Sequence, residues 1–414
     1  MTDIAPTAPQ APNWRATFRK ITNSSAVTVV LAIVVALVVG AILIAAADED
    51  VQRTVTYLFA QPGDFFVALG QSIGGAYAAL FQGAVVNFGA SSSGAALLPL
   101  ARTVANSVPL IFAGLALGMG FRAGLFNIGG QGQIMLGAVF CSYLGFALHL
   151  PVGLHVIVCV LGAFVGGAIW GFVPGILKAT TGANEVIVTI MLNSIAGFLL
   201  GFLLTLQSFR VPGSNNPISP MVDANALYPT FFGTPVSVGF VLAIAAAVGV
   251  WWLMERSTLG FRIKAVGANK DAALTSGMNV RTTYIWVMTI GGGLCGLAAT
   301  APLLGTPSQA LSVDIASTFG FDAITVALLG RSKPLGTVLA GLLFGGLRAG
   351  GYMMQAGTGV PIDIILVLQS VIVLLIAAPP LVKAIFRLPD PSRRHKVRRA
   401  RGMKASVARS EVTA

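Results

Sequence analysis

Charge is scarce in this sequence. Charged residues make up 10% of its 414 positions, against about 25% in an average soluble protein. A water-soluble fold would have too few charges to cover its surface, which excludes a soluble enzyme or regulator. Acids are scarcer still, with 14 Asp and Glu against 26 Lys and Arg. The acids placed within the membrane are Glu185, Asp322 and Asp363, with Glu255 at the end of a run. An ion-coupled carrier invests in such groups, so their scarcity argues against one. Cysteine is also rare: Cys141, Cys159 and Cys295 all sit in apolar runs, without a CxxC pair or metal-ligand spacing. They read as buried, inert thiols. His149 and His155 flank a junction between apolar runs, without Cys or acidic neighbours, and read as interfacial side chains rather than metal ligands. No Walker A pattern, HExxH, GxSxG or carboxylate pair on a shared helix face occurs. GRSKPLG at 330–336 has Gly and Lys in the wrong order for a phosphate cradle. The chain is not its own ATPase by that route. No catalytic residue, cofactor or metal is assigned to it.

What is abundant is apolar. Hydrophobic residues make up 55%, which excludes disorder. A membrane-spanning helix needs about 20 mostly apolar residues. Apolar runs lie at 26–47, 107–121, 132–150, 152–177, 185–206, 236–255, 282–303, 318–330, 335–350 and 360–378. The 49 glycines suit close helix packing in a bilayer. The fold class is an all-α polytopic membrane protein with about ten transmembrane helices, broken or re-entrant segments and a weak internal repeat. Four regions follow: a cytoplasmic N-terminal segment, 1–25; a first transmembrane helix and extracytoplasmic segment, 26–106; a transmembrane core, 107–380; and a basic cytoplasmic tail, 381–414. The run at 26–47 reads as a retained helix rather than a cleaved signal. The region 48–106 is placed outside, with room for a short helix lying on the surface.

The net charge of +12 is concentrated near the ends of runs. Nine Lys and Arg lie between Arg387 and Arg409, and a second group lies between Arg256 and Arg281. These positions fit orientation and anionic lipid contact better than nucleic acid. With ten spans and an inside N-terminus, Arg53, Arg102, Arg210 and Arg348 fall outside, and the other 22 of 26 basic residues fall inside. That split follows the positive-inside rule and puts both termini in the cytoplasm.

Two stretches interrupt the apolar pattern, 122–133 and 304–317. Irregular backbone at membrane depth is tolerated against protein or a water-filled cavity. GLALGMGFRAGLFNIGGQGQIMLGA (114–138) and IASTFGFDAITVALLGRSKPLGTVLAGLLFGG (315–346) share a grammar of apolar run, glycine-rich break and apolar run, with Asp322 near the second break. Paired interruptions of this kind build central sites in transporters; ordinary glycine-rich packing is the alternative. In FNIGGQGQ, Asn127, Gln131 and Gln133 are neutral amides with donors and acceptors. They suit an uncharged polyhydroxylated solute, or they satisfy one another within a packing break. In GANEVIVTIMLNSIAG, Asn193 is a possible pore-lining amide, and Glu185 reads as a cap or interhelical partner. In the loop 254–284, Asn269, Lys270 and Asp271 begin a short small-residue helix that Gly277 ends. Such a helix suits docking into a partner's cleft.

Four segments in order, GFRAGLFNIGGQGQIMLGA, GANEVIVTIMLN, LGFRIKAVGANKDAALTSGMNV and FDAITVALLGRSKPLGTVLAGLLFGGL, resemble the permease subunits of bacterial ABC importers. The branch is the ribose and branched-chain amino acid type, and within it the sequence looks like the nucleoside and simple-sugar permeases. The resemblance covers about 100–380. It implies a permease translocating nucleosides or a simple sugar by alternating access, with a secondary carrier or channel for a small polar solute as the rival reading. It implies as partners a separate ABC ATPase subunit, a second permease subunit, an extracytoplasmic solute-binding lipoprotein and membrane lipid, without nucleic acid. It implies a multi-pass protein of the bacterial cytoplasmic membrane. Carried over by segment, it makes Asn127, Gln131, Gln133, Asn193 and Asp322 candidates for the translocation path. It makes Gly267, Asn269, Ala272, Ala273 and Gly277 part of the loop that couples to the ATPase.

Overall fold

The computed structural model describes residues 25–386, apart from 215, 232, 307–309, 317, 379, 380, 383 and 384. The segment 1–24 and the basic tail from 387 on lie outside the described residues. Fifteen α-helices are described: α1 Ser25–Ala47, α2 Glu49–Val55, α3 Pro62–Ala84, α4 Ser93–Arg122, α5 Gly130–Ala147, α6 Leu154–Thr181, α7 Glu185–Leu203, α8 Val238–Arg256, α9 Thr258–Ala268, α10 Lys270–Thr275, α11 Val280–Ala298, α12 Thr300–Gly305, α13 Phe319–Leu329, α14 Pro334–Thr358 and α15 Asp363–Ala377. The extended pairings among the described residues are two isolated bridges, Met221 with Ala310 and Thr230 with Ser237. Each of the ten apolar runs forms a helix or part of one. Among the described residues, seven helices are long and apolar enough to cross a membrane: 29–47 within α1, then α3, α4, α6, α7, α8, and α11 continued through α12.

Local chemistry sets the helix ends. Asn184 accepts from the backbone N–H groups of Val186 and Ile187, Ser257 from Gly260, Asn269 from Asp271 and Ala272, and Asn279 from Thr282. Each side-chain oxygen satisfies an N–H that has no partner within its helix. Pro62 and Pro334 open α3 and α14, where their missing N–H costs nothing.

The region 48–106 departs from the expected surface segment. It holds α3, 23 residues long, and the first half of α4, which continues through Pro99 and Pro109. Gly and polar residues dilute its hydropathy, which hid it from the apolar count. Packing supports it instead: Gly83 of α3 lies against Gly350 and Met353 of α14, and Gly350 lies against Leu80.

By contacts the chain forms two units, Leu43–Ile365, and Met1–Ile42 with Leu366–Ala414. In the smaller, Ala32 packs with Leu375 and Val382. In the larger, α6 and α11 meet backbone to backbone. Gly167 and Gly171 face Gly292 and Gly296, and a Cβ at any of the four would collide with the opposite helix. These are GxxxG pairs, whose small residues let helices approach where lipid supplies no hydrophobic drive between them.

Candidate functional site

The two interrupted segments meet. Residues 123–129 connect α4 to α5 without helix, and the described residues between α12 and α13 are likewise non-helical. Gly320, in the first turn of α13, lies against the backbone of Gln131 in the first turn of α5; a Cβ there would be 2.5 Å from the Gln131 nitrogen. The start of each half-helix therefore touches the other. Helix starts present unpaired N–H groups and a partial positive charge.

Two amides of the first segment, Asn127 and Gln133, turn inward, whereas Gln131 is half-buried. Asn127 is 3% exposed. Its Nδ2 donates to Gln133 Oε1 at 3.1 Å, and Gln133 Nε2 donates back to Asn127 Oδ1 at 3.4 Å. Asn127 Oδ1 also accepts from the Gly129 N–H at 2.9 Å. Asn193, on α7, bridges the break: its Oδ1 accepts from Gly132 N–H and its Nδ2 donates to the Ile128 carbonyl, each at 2.9 Å. Thr189, one turn earlier on α7, accepts from Ile128 N–H at 3.2 Å. Thr189 was not singled out from the sequence; its spacing of four from Asn193 was the available signal. Glu185 pairs with Lys178 Nζ at 2.7 Å, across the turn between α6 and α7.

Beside the second segment lies a cavity of about 380 Å³. Its lining includes Asn106 and Pro109 of α4, Phe319 of α13, and Arg348 and Tyr352 of α14. Its size falls within the range of small-molecule sites. Asp322 stands one turn along α13 from Phe319, and binds Thr318 Oγ1, which donates to its Oδ2 at 2.7 Å. Arg348 and Asn106 were missed as site residues. Arg348 was counted as a topological charge, yet an arginine inside an apolar, glycine-rich run is itself a functional signal. Asn106 has no sequence signal beyond being an amide in a long helix.

The loop 256–281 folds as two helices, α9 and α10, and Gly277 adopts φ +77° as its stop. Ala272 is exposed, whereas Ala273 is 4% exposed and packs with Val266 and Val280. Leu274, 60% exposed, is the apolar side chain that α10 presents outward. Gly267 is a close-approach residue: it lies against the carbonyl of Arg122 and the backbone of Ala123, where α4 ends. Glu255 ties the same corner, binding Arg122 at 3.1 Å and Lys264 at 2.9 Å. The loop thus sits directly on the first interrupted segment.

The histidines differ from expectation. His155 is fully buried and bonds the Leu144 carbonyl through Nε2 at 3.0 Å, and His149 meets an acid, Asp223, at 2.9 Å. The long connection after α7 brings Asp223 back over α5, an approach that local sequence does not show. Among the described residues, no group of three His, Cys, Asp or Glu could hold a metal. The three cysteines are buried, as expected.

Residues 100–377 match a family model described as "Branched-chain amino acid transport system / permease component". The guanosine ABC transporter permease NupP of Bacillus subtilis is 34% identical over 316 residues, covering 75% of this chain and 87% of the relative. The nucleoside ABC transporter permease NupB of Lactococcus lactis is 33% identical, covering 75% and 84%. The glucose ABC transporter permease TsgB13 of Haloferax volcanii is 33% identical, covering 66% and 75%. No solved structure matches the chain. α1 to α3 precede the matched region. The family match across most of the helical core, and relatives this similar over three quarters of the sequence, mean that the chain belongs to the branched-chain amino acid transport system permease family and is a permease subunit of an ABC importer.

Proposed function

We propose that the solute is a nucleoside or a related simple sugar, and that it passes beside α13 and α14. The observation that carries this reading is the cavity beside the second interrupted segment. It offers aromatic faces in Phe319 and Tyr352, and polar groups in Asn106, Asp314 and Arg348. Aromatic faces suit a nucleobase, and few, placed polar groups suit one small neutral solute. ATP is hydrolysed in a separate subunit, since this chain has no phosphate cradle. A second permease subunit and an extracytoplasmic binding lipoprotein complete the importer. Both termini and the 256–281 loop face the cytoplasm of a bacterial inner membrane. α10 docks on the ATPase through Ala272 and Leu274, and Asn127, Gln131, Gln133 and Asn193 shape the path by fixing the break.

The test is uptake by the reconstituted importer in proteoliposomes, with guanosine, adenosine, ribose and glucose offered. Nucleoside uptake that depends on ATP supports the reading; uptake driven by an ion gradient without the ATPase overturns it. Leu274→Asp is expected to abolish solute-stimulated ATP hydrolysis while leaving the permease folded, because exposed substitutions usually change stability by about 0.5 kcal/mol or less. Normal stimulation in that variant would remove α10 from the docking role. Labelling of Lys270→Cys from outside intact cells would overturn the orientation.

A further inference from the structure

Arg348 is held in an unusual way for a cation in an apolar helix. Its Nη2 donates to Thr318 Oγ1 at 2.6 Å and lies 3.8 Å from Asp322 Oδ2. Its guanidinium carbon stands 4.5 Å from the centre of the Phe319 ring. Thr318 passes the arrangement on, donating its own proton to Asp322. The side chains of Arg348 and Asp322 are each 18% exposed. Arg348 lines the cavity, and its other N–H groups make no hydrogen bond among the described residues.

Three consequences follow from these contacts. The ring and the two-point hold fix the plane of the guanidinium. Asp322 balances its charge and Asp314 also lines the cavity, so the site does not call for an anionic solute. Guanidinium donates and never accepts. A planar, donor-only fork fits a neutral ligand with two adjacent acceptors. In a 6-oxopurine these are O6 and N7, and a 6-aminopurine replaces the first with a donor amino group that opposes the fork. The geometry points to Arg348 as a specificity-determining residue that favours 6-oxopurine nucleosides, such as guanosine and inosine, over adenosine. Thr318 and Asp322 are its positioning residues. This inference rests on the nucleoside reading above.

The experiment is competition between guanosine and adenosine for uptake by the whole importer in proteoliposomes. Wild-type and variant permeases receive solute from the same binding protein, so its own selectivity cancels when their uptake ratios are compared. Arg348→Lys keeps the charge facing Asp322 but loses the fork, and is expected to lower the guanosine-to-adenosine ratio roughly tenfold. Arg348→Gln, which can both donate and accept, is expected to lower it at least as far. Thr318→Val keeps the arginine and frees its plane, and is expected to lower the ratio less. Co-purification with the ATPase checks assembly; if Arg348→Gln fails to assemble, Arg348→Lys decides. Guanosine uptake with an unchanged ratio in Arg348→Lys and Thr318→Val overturns the inference and leaves the nucleoside reading standing, as it would if Arg348 met only ribose hydroxyls. Wild-type uptake of glucose but of neither nucleoside overturns both.

Discussion

Around the first break, Asn127, Gln133 and Asn193 direct their hydrogen bonds into the protein, to one another and to the backbone of 128–132. Around the second, Arg348 and Phe319 border open space, and Thr318 and Asp322 stand behind them. The two stretches share a glycine-rich grammar, and both start a half-helix at the same contact. One is a closed joint and the other is the wall of a cavity. A polar side chain at a membrane break is therefore ambiguous in sequence. It stabilises an irregular backbone when its partners are protein atoms, and it is free to meet a solute when it borders open space. The closed joint also carries the 256–281 loop, because Gly267 rests on the chain just before it. Rigidity there would let movement of the loop reach the helix starts at Gly320.

Breaking the closed joint is expected to have the largest effect on stability. Asn127→Leu leaves the Gln133 amide and the Gly129 N–H buried without partners, at a cost of about 2–4 kcal/mol. Thermal unfolding in detergent should show this as a clear drop. Adding Gln133→Leu should recover part of it, since removing both partners costs less than orphaning one. A double variant no better than the single would show that the pair does not act as a pair.

Gly320→Ala tests the contact between the two segments. The added methyl meets the Gln131 backbone, and overpacking of this kind costs about 1–3 kcal/mol. Unchanged stability and uptake would mean that the half-helix starts are not in firm contact.

Asp322→Asn should separate the cavity wall from the joint. The ion pair is long and asparagine keeps an acceptor for Thr318, so its loss should cost about 1–2 kcal/mol. Uptake should fall more than stability does, because Arg348 would then stand at the cavity unbalanced. A variant that unfolds as readily as Asn127→Leu, with uptake per folded molecule unchanged, would place Asp322 among the structural groups.

The smallest effect is expected in water, where His149 and Asp223 meet. The imidazole beside it and the Asn225 backbone N–H hold the Asp223 carboxyl below the ordinary value of 3.8. A depressed folded-state pKa contributes stability that is present above 3.8 and is lost as pH falls through the lower folded value. Asp223→Asn should therefore melt slightly below wild type at about pH 6, and the gap should close in acid. Thermal melts of both proteins from about pH 6 to about pH 2 would check this; a gap independent of pH would exclude the charge as its source.

The sequence alone determined the membrane class, the ten apolar runs, the two breaks, the helix start at Asn269 and the stop at Gly277, but not that Asn184 rather than Glu185 caps α7. Each depends on hydropathy within one span or on bonds within one turn, which the chain writes locally. It did not reveal α3, whose support comes from glycine contacts with α14. Nor did it reveal that Ala273 turns inward while Leu274 turns outward, because the helix is too short for a periodic signal. The tertiary structure decided which polar groups meet. Asn193 reaches Ile128 across 65 positions, and Arg348 reaches Thr318 across 30. A hydrogen bond is decided within about 3 Å, so its partner follows from which helices pack together, and that choice belongs to the whole chain.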